Sequence, residues 1–172
     1  MLHCMPKCEY AQLYDSTTDV VWVVDGSNSA GGSSYNGGTF HHSGFYIDNV
    51  ASAGLMESSG GVNNFLLADT TYGSSKGRIY MYDSPSSSVG GGDGEDAGDY
   101  AGSGLAGGPG NDVDGDGLDD VFIGARGDDT GATNAGAVYT WLGGGFGGGM
   151  ASADNKLLGG GASASFGRGL ST

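Results

Sequence analysis

Glycine interrupts every stretch of this chain that is long enough to form an ordinary helix. Glycine accounts for 38 of the 172 residues, and no window of a dozen residues keeps apolar side chains at the helical spacing i, i+3, i+4, i+7 without a glycine among them. Because a glycine inside a helix costs about 1 kcal/mol relative to alanine, we expect no helix of ordinary length. The chain therefore has to bury its apolar side chains in short extended segments.

Short runs of β-branched and aromatic residues, bounded by Gly, Ser, Asn and Asp, predict strands joined by turns. They occupy residues 19–24, 38–42, 64–68, 78–82, 120–125 and 137–142. The runs come in pairs, and a glycine opens the second member of each pair: Gly38, Gly77 and Gly136. We predict a β-hairpin for each pair. The glycine-rich stretches 90–94 and 143–149 are predicted to be loops or disordered segments.

The hairpins are copies of a longer repeat. Phe45 lies 19 residues before Asn64, and Tyr100 lies 20 residues before Asp120. Phe166 begins a further copy, so the spacing is 55 residues from Phe45 to Tyr100 and 66 residues from Tyr100 to Phe166. Self-similarity of strand-rich units at such intervals is typical of β-propellers and related arrays.

The charge of the chain restricts its partners. Twenty acidic and six basic residues give a net charge of −14, which argues against nucleic acid and anionic membranes and favours cations. The longest apolar run, residues 20–24, is far shorter than the roughly 20 residues of a membrane-spanning helix, so no such segment is predicted. Cys4 and Cys8 are the only cysteines and provide no disulfide framework. With His3 they leave a soft-metal site as a minor alternative to an unstructured tail.

An acidic loop stands immediately before the run at 120–125. Carboxylates occupy its positions one, three, five and nine, a glycine occupies position six, and a main-chain carbonyl adds an oxygen: Asp112, Asp114, Asp116, Asp120, Gly117 and Leu118. Two carboxylates about 4 Å apart repel by about 4 kcal/mol at an effective dielectric of 20. The cluster therefore predicts either disorder or a bound cation, and six or more oxygen ligands favour Ca²⁺ over Mg²⁺.

Two other interpretations of this loop were considered. An EF-hand needs Glu at position twelve and flanking helices, but position twelve is Ile123, inside a strand run. A solvated acidic turn is the simpler alternative, because Asp-Gly is common in turns. The alternate spacing of the aspartates favours the metal loop.

The acidic loop, the strand run after it, Gly124-Ala125-Arg126 and Gly136-Ala-Val-Tyr139 resemble an FG-GAP repeat, the unit of the β-propellers of integrin α-subunits. Phe166-Gly167 resembles the FG element. Gly124-Ala125-Arg126 resembles the GAP element, with Arg126 where proline is usual. The resemblance is strong over residues 99–143, partial over 45–83 and faint over 11–42. In the partial copy Asn64 stands in place of Asp120, and the other acidic positions are also lost, so a single calcium site is expected.

The resemblance implies an all-β fold, an incomplete β-propeller of four-stranded blades with long Gly/Ser-rich loops. The expected organisation is a tail at 1–10, a degenerate unit at 11–43, a partial unit at 45–90, the best unit with its calcium loop at 99–150, and the start of a further unit at 155–172. A propeller typically needs 4–8 blades. We therefore expect the remaining blades to come from a longer chain or from other copies.

The resemblance also implies a function. Ca²⁺ would be held by Asp112, Asp114, Asp116, the Leu118 carbonyl and Asp120, in a non-enzymatic scaffold that binds a protein or surface ligand outside the cell or at its surface. One alternative is the propeller part of a secreted, phospholipase-like hydrolase whose catalytic domain lies elsewhere. Another is a von Willebrand factor A-like Mg²⁺ site at Asp25, Ser27 and Ser29, although residues 30–38 are too rich in glycine for the helix that such a fold requires.

Overall fold

A computed structural model of the chain describes residues 10–15, 20–25, 38–41, 46–56, 63–84 and 87–171. The chain divides into two compact units, residues 1–45 and 46–172. Within the described residues, no helix has the length and apolar character needed to cross a membrane. The tail predicted before residue 10 and the alternative site at Ser27 and Ser29 lie outside the described residues.

The first unit contains one antiparallel sheet with the strand order β1-β2-β3. Its strands are β1 (Tyr10–Asp15), β2 (Val20–Asp25) and β3 (Gly38–His41). Val20 pairs with His41 in β3, which confirms the hairpin predicted from the runs at 19–24 and 38–42. Strand β1, which pairs along β2, was not among the predicted runs.

The second unit begins with an antiparallel sheet of four consecutive strands, in the order β4-β5-β6-β7. These are β4 (Asn49–Gly54), β5 (Asn64–Asp69), β6 (Arg78–Ser84) and β7 (Ser87–Asp93). The loop between β5 and β6 contains a single helical turn, α1 (Tyr72–Ser75), which is left-handed at Gly73 (φ 58°) and Ser74 (φ 63°). The predicted hairpin therefore forms the centre of the sheet, with one further strand on each side.

A second four-stranded antiparallel sheet follows in the same unit, in the order β11-β10-β9-β8. Its strands are β8 (Ala101–Ala106), β9 (Val121–Ala125), β10 (Ala137–Trp141) and β11 (Asn155–Leu158). A 3₁₀ turn at Met150–Ser152 precedes β11. The all-β class is thus confirmed. The described residues form two separate sheets and no closed ring of sheets, so the propeller stays a prediction.

The prediction of a loop or disorder at 90–94 is wrong, because Gly90 to Asp93 belong to β7. The physical reason lies in the loop that follows β10. A Cβ at Gly90 would collide with the main-chain oxygen of Phe146, and a Cβ at Gly92 would collide with the backbone of Gly149. Glycine therefore occurs in this strand because another segment packs directly against its backbone.

The core of the second unit lies between its two sheets. Strand β8 packs against β4, β5 and β6 of the first sheet. Full burial of an aliphatic or aromatic side chain stabilises by about 1.5–3 kcal/mol. The largest of the fully buried side chains are those of Met56, Phe65, Leu66, Ile79, Met81, Ile123, Tyr139 and Met150. The alternating residues of β5, β9 and β10 supply most of this layer.

The same backbone contact occurs after each of these two sheets. The amides of Gly98, Tyr100 and Ala101 donate to the carbonyls of Ser74, Ser75 and Lys76 at 3.2, 2.8 and 3.1 Å. The amides of Ser163, Ser165 and Phe166 donate in the same order to those of Thr133, Asn134 and Ala135 at 2.8, 3.2 and 2.9 Å. Residues 163–166 therefore correspond to residues 98–101.

This correspondence corrects the alignment of the repeat by one residue. The sequence spacing matched Phe166 to Tyr100, but the hydrogen bonds match Phe166 to Ala101 and Ser165 to Tyr100. Backbone conformation agrees, since Tyr100 and Ser165 both have positive φ, 54° and 51°. The sequence could not reveal this shift because the aromatic side chain follows the left-handed residue in one copy and occupies it in the other.

Candidate metal centre

The acidic loop connects β8 to β9 and is closed at its base by two reciprocal hydrogen bonds. The side-chain amide of Asn111 donates to the carbonyl oxygen of Asp120 at 2.7 Å. The amide of Asp120 donates in return to the carbonyl of Asn111 at 2.7 Å. Between them the chain turns at Gly115 (φ 83°) and Gly117 (φ 91°), left-handed conformations that favour glycine. The loop is therefore a defined turn anchored at the entrance to β9.

Three of the predicted ligands lie together. One carboxylate oxygen from each of Asp112, Asp114 and Asp116 lies within 4.8 Å of the other two. Because Ca²⁺ binds oxygen at about 2.3–2.6 Å, two oxygens on the same ion are separated by no more than about 5 Å. The three carboxylates therefore fit a single calcium ion.

Hydrogen bonds from the loop backbone hold these carboxylates in place. Asp112 accepts from the amides of Gly115 at 2.7 Å and Gly117 at 3.0 Å. Asp114 accepts from the amide of Asp116 at 3.1 Å. Asp116 accepts from the amide of Leu118 at 2.8 Å. The amides thus offset part of the repulsion among three like charges and direct the side chains into the turn.

Asp120, the fourth predicted carboxylate ligand, is fully buried. Its Oδ2 accepts from the amide of Val113 at 2.6 Å, and its Oδ1 accepts from the amide of Gly143 at 2.9 Å. A Cβ at Gly143 would collide with the Leu118 side chain, so these segments pack closely. The structure places Asp120 beneath the turn rather than in the group of three. The ligand roles of Asp120 and of the Leu118 carbonyl stay predictions.

The counterpart of Asp120 in the preceding copy is Asn64, as the sequence predicted. Asn64 is buried, and its side-chain oxygen accepts from the amide of Met56 at 3.1 Å. An amide therefore makes the backbone contact that a carboxylate makes in the later copy. Residues 57–62, which would hold the other counterparts of the acidic loop, lie outside the described residues.

Asp119 is a functional residue that the sequence reasoning missed. Its side chain is buried, with Oδ2 accepting from the amide of Leu55 at 2.6 Å and Oδ1 from the amide of Gly110 at 2.6 Å. The amide of Asp119 also donates to the Leu55 carbonyl at 2.8 Å. Gly54 has a φ of 71°, and a side chain there would collide with the Asp119 carboxylate. Asp119 therefore connects the acidic loop to the end of β4, in the other sheet.

A second buried carboxylate organises the opposite side of the same sheet. Asp128 accepts from the Tyr139 hydroxyl at 2.8 Å and lies 2.9 Å from the ammonium group of Lys156. Burial raises the pKa of Asp128, but hydrogen bonds from Lys156, Thr130 and Tyr139 outweigh that effect and lower the pKa below its usual value. Lys156 also pairs with Glu95 at 2.5 Å. This network joins β10 and β11 to the segment that leaves β7.

Comparison with known proteins agrees with the resemblance found in the sequence. No curated protein matches the chain. Residues 103–141, which extend from β8 through the acidic loop to the end of β10, match the family model of the FG-GAP repeat.

Proposed function

We propose that this chain is a non-enzymatic, calcium-binding segment of a β-propeller that serves as a protein-interaction or adhesion scaffold outside the cell or at its surface. The observation that carries the proposal is the group of three carboxylates in the loop that leads into β9. Two further observations support it. Residues 103–141 match the FG-GAP repeat, and each sheet of the second unit is a meander of four consecutive strands, the form of a propeller blade.

Calcium would act structurally at this site. Asp112, Asp114 and Asp116 would hold the ion, with Asp120 and the Leu118 carbonyl completing the set. The positive charge would cancel a repulsion of about 4 kcal/mol for each pair of carboxylates about 4 Å apart. It would also order a turn whose glycines lose more backbone entropy than other residues.

The rigidity of the turn would extend to both sheets of the second unit. Asp120 connects the turn to Gly143, in the segment after β10, and Asp119 connects it to Leu55, after β4. An ion bound at the turn would thus stabilise the position of the two sheets relative to each other. A scaffold that binds partners through loops at the ends of its strands depends on such fixed positions.

The proposed location follows from the chemistry of the loop. Exposed calcium sites in extracellular modules have dissociation constants of about 10⁻⁴ to 10⁻³ M. The carboxylates of Asp114 and Asp116 are exposed to solvent. A site of this kind would fill at extracellular calcium concentrations. We expect the remaining blades to come from a longer chain or from other copies, which sedimentation velocity over a range of protein concentrations would distinguish.

Calcium titration tests the proposal. Isothermal titration calorimetry of the wild type should show one site, and Asp116→Ala should remove most of the binding. Calcium at one hundred times its dissociation constant should stabilise the protein by about 2.7 kcal/mol, which is roughly a 5–10 °C rise in Tm for a domain of this size.

The matched control is Asp96→Asn, which removes one exposed charge outside the loop. It should retain the full calcium response, whereas Asp116→Ala should lose it. A wild-type Tm that does not change with calcium would contradict the proposed site. The scaffold role is tested separately, by cell or protein adhesion to the immobilised chain with calcium and with a chelator.

A further inference from the structure

A small polar cleft in the second unit lies where three copies of the repeat begin. Its volume is about 220 Å³. Strands β4 and β8 and the segment after β11 each contribute residues to it, as do the loops after β5 and β9. The lining consists of Asp48, Asn49, Thr70, Gly102, Ser103, Arg126 and Arg168. The cleft is separate from the acidic loop, none of whose residues lines it.

Arg126 is held in this cleft by contacts on two sides. Its guanidinium lies over the ring of Tyr100, 3.8 Å from the centroid. Its amide donates to the Ser103 hydroxyl at 3.0 Å, and that hydroxyl donates to the Gly124 carbonyl at 3.2 Å. Because stacking uses the face of a guanidinium, its edge stays available for paired hydrogen bonds to a carboxylate.

Arg78 shows within the same molecule what such an arginine binds. Its guanidinium lies 3.7 Å from the centroid of the Tyr72 ring. Its edge donates two hydrogen bonds to Asp93, from Nε to Oδ1 and from Nη2 to Oδ2, the second at 2.8 Å. Among the described residues, the ion pairs join Arg78 to Asp93 and Lys156 to Glu95 and Asp128, and none includes Arg126 or Arg168.

We propose that this cleft binds a single Asp or Glu side chain of a protein partner through Arg126 and Arg168. The cleft is smaller than the roughly 300 Å³ at the lower end of small-molecule sites, which suits one side chain. The net charge of −14 repels strongly acidic partners at long range. The expected ligand is therefore an isolated carboxylate on a neutral or basic surface. This inference rests on the proposed role as a protein-interaction scaffold.

Asp48 sets the charge of the cleft. Its Oδ2 accepts from the amide and the hydroxyl of Thr70 at 2.7 and 2.6 Å. Two guanidinium groups and one carboxylate leave the lining with one net positive charge. Asparagine at this position can still accept from Thr70, so Asp48→Asn raises the positive charge while preserving the local hydrogen bonds. This substitution should strengthen carboxylate binding, the opposite of the effect expected for loss of an arginine.

The test uses N-acetyl-glutamate N-methylamide as the carboxylate probe and the corresponding glutamine derivative as its uncharged control. Titration of the full chain in calcium, followed by amide chemical shifts, should show saturable binding of the acid near Ser103 and Gly102 with millimolar affinity, and none of the amide. Arg126→Gln and Arg168→Gln should each weaken binding about tenfold. Arg78→Gln removes an equal charge elsewhere and should leave the affinity unchanged.

Several outcomes would overturn the inference. These are the absence of shifts with the acid, equal binding of the two probes, or an Arg126→Gln affinity equal to that of the wild type. Tighter binding of inorganic phosphate than of the acid would also overturn it, in favour of a phosphate site. If the carboxylate probe binds but calcium does not, the proposed function fails and this inference stands. If calcium binds but the probe does not, only this inference fails.

Discussion

Replacing Asp119 by alanine should separate the structural contribution of the acidic loop from its affinity for calcium. The substitution removes the carboxylate that accepts from the amides of Leu55 and Gly110. It leaves Asp112, Asp114 and Asp116 in the chain. We therefore expect a large loss of stability without calcium, and a remaining calcium response.

The size of the loss follows from the two donors left behind. The Leu55 amide is partly buried and loses a hydrogen bond to a charged acceptor, which costs about 1.5–3 kcal/mol. Gly110 lies in an exposed turn, where water replaces the acceptor and the cost is about 0.5–1 kcal/mol. The sum is about 2–4 kcal/mol, a large share of the 5–15 kcal/mol that stabilises a typical domain. Asp119→Asn keeps one acceptor and should lose about half as much.

Urea denaturation in a chelator, monitored by tryptophan fluorescence and by circular dichroism, measures this loss. With a denaturant dependence of about 2 kcal/mol per molar, the midpoint should fall by about 1–2 M. Asp116→Ala is the matched control, because Asp116 accepts only from the amide of Leu118 and is exposed. A midpoint for Asp119→Ala within 0.2 M of that control, an interval of about 0.4 kcal/mol, would refute the assignment of Asp119 as the connection between the sheets.

Three further predictions concern the remainder of the second unit. Arg78 hydrogen-bonds Asp93 and lowers its pKa, so the pair should stabilise the protein above the ordinary pKa of 3.8 and lose that effect as the pH falls through the lower folded value; Arg78→Gln should flatten this acid dependence of urea stability. Burial raises the pKa of Tyr80 from 10.0 to about 12, so stability should fall between these pH values, and ultraviolet titration of Tyr80→Phe should lose one late-ionising tyrosine. A Cβ at Gly124 would collide with the carbonyl oxygen of Gly167, whereas nothing lies within 4 Å at Gly147, so Gly124→Ala should lower the Tm and Gly147→Ala should not.

The sequence predicted those strands whose own residues carry the signal. Strands β5, β6, β9 and β10 are dense in β-branched and aromatic residues, and the glycine that opens β6 or β10 marks each hairpin. Strand β8, Ala101–Ala106, has the sequence AGSGLA and was not predicted. Its glycines serve close contacts: a Cβ at Gly102 would meet the Ala68 side chain, and a Cβ at Gly104 would meet the backbone of Gly167. Such contacts join residues far apart in the chain, so no local pattern announces them.

The candidate site shows the same division. The spacing of Asp112, Asp114 and Asp116 is local, and the structure brings their oxygens together. Asp119 stands in the same loop, but its partner Leu55 is 64 residues away. A carboxylate at that position carries no signal in the spacing of the loop, because its role is fixed by the neighbouring sheet. Interactions between sheets are therefore the part of the site that one sequence cannot supply.

The repeated backbone contact also has an evolutionary consequence. The amide of Gly94 donates to the carbonyl of Gly77 at 2.9 Å, and 65 residues beyond Gly94 the amide of Gly159 donates to the carbonyl of Gly136 at 2.8 Å. The chain between the paired glycines is six residues longer in the later copy, 23 against 17, yet the same junction forms. Insertions and deletions between these fixed points leave the seam between modules intact. Natural variants of this chain should therefore differ most in length within those connections, while the residues at the seam keep their mutual register.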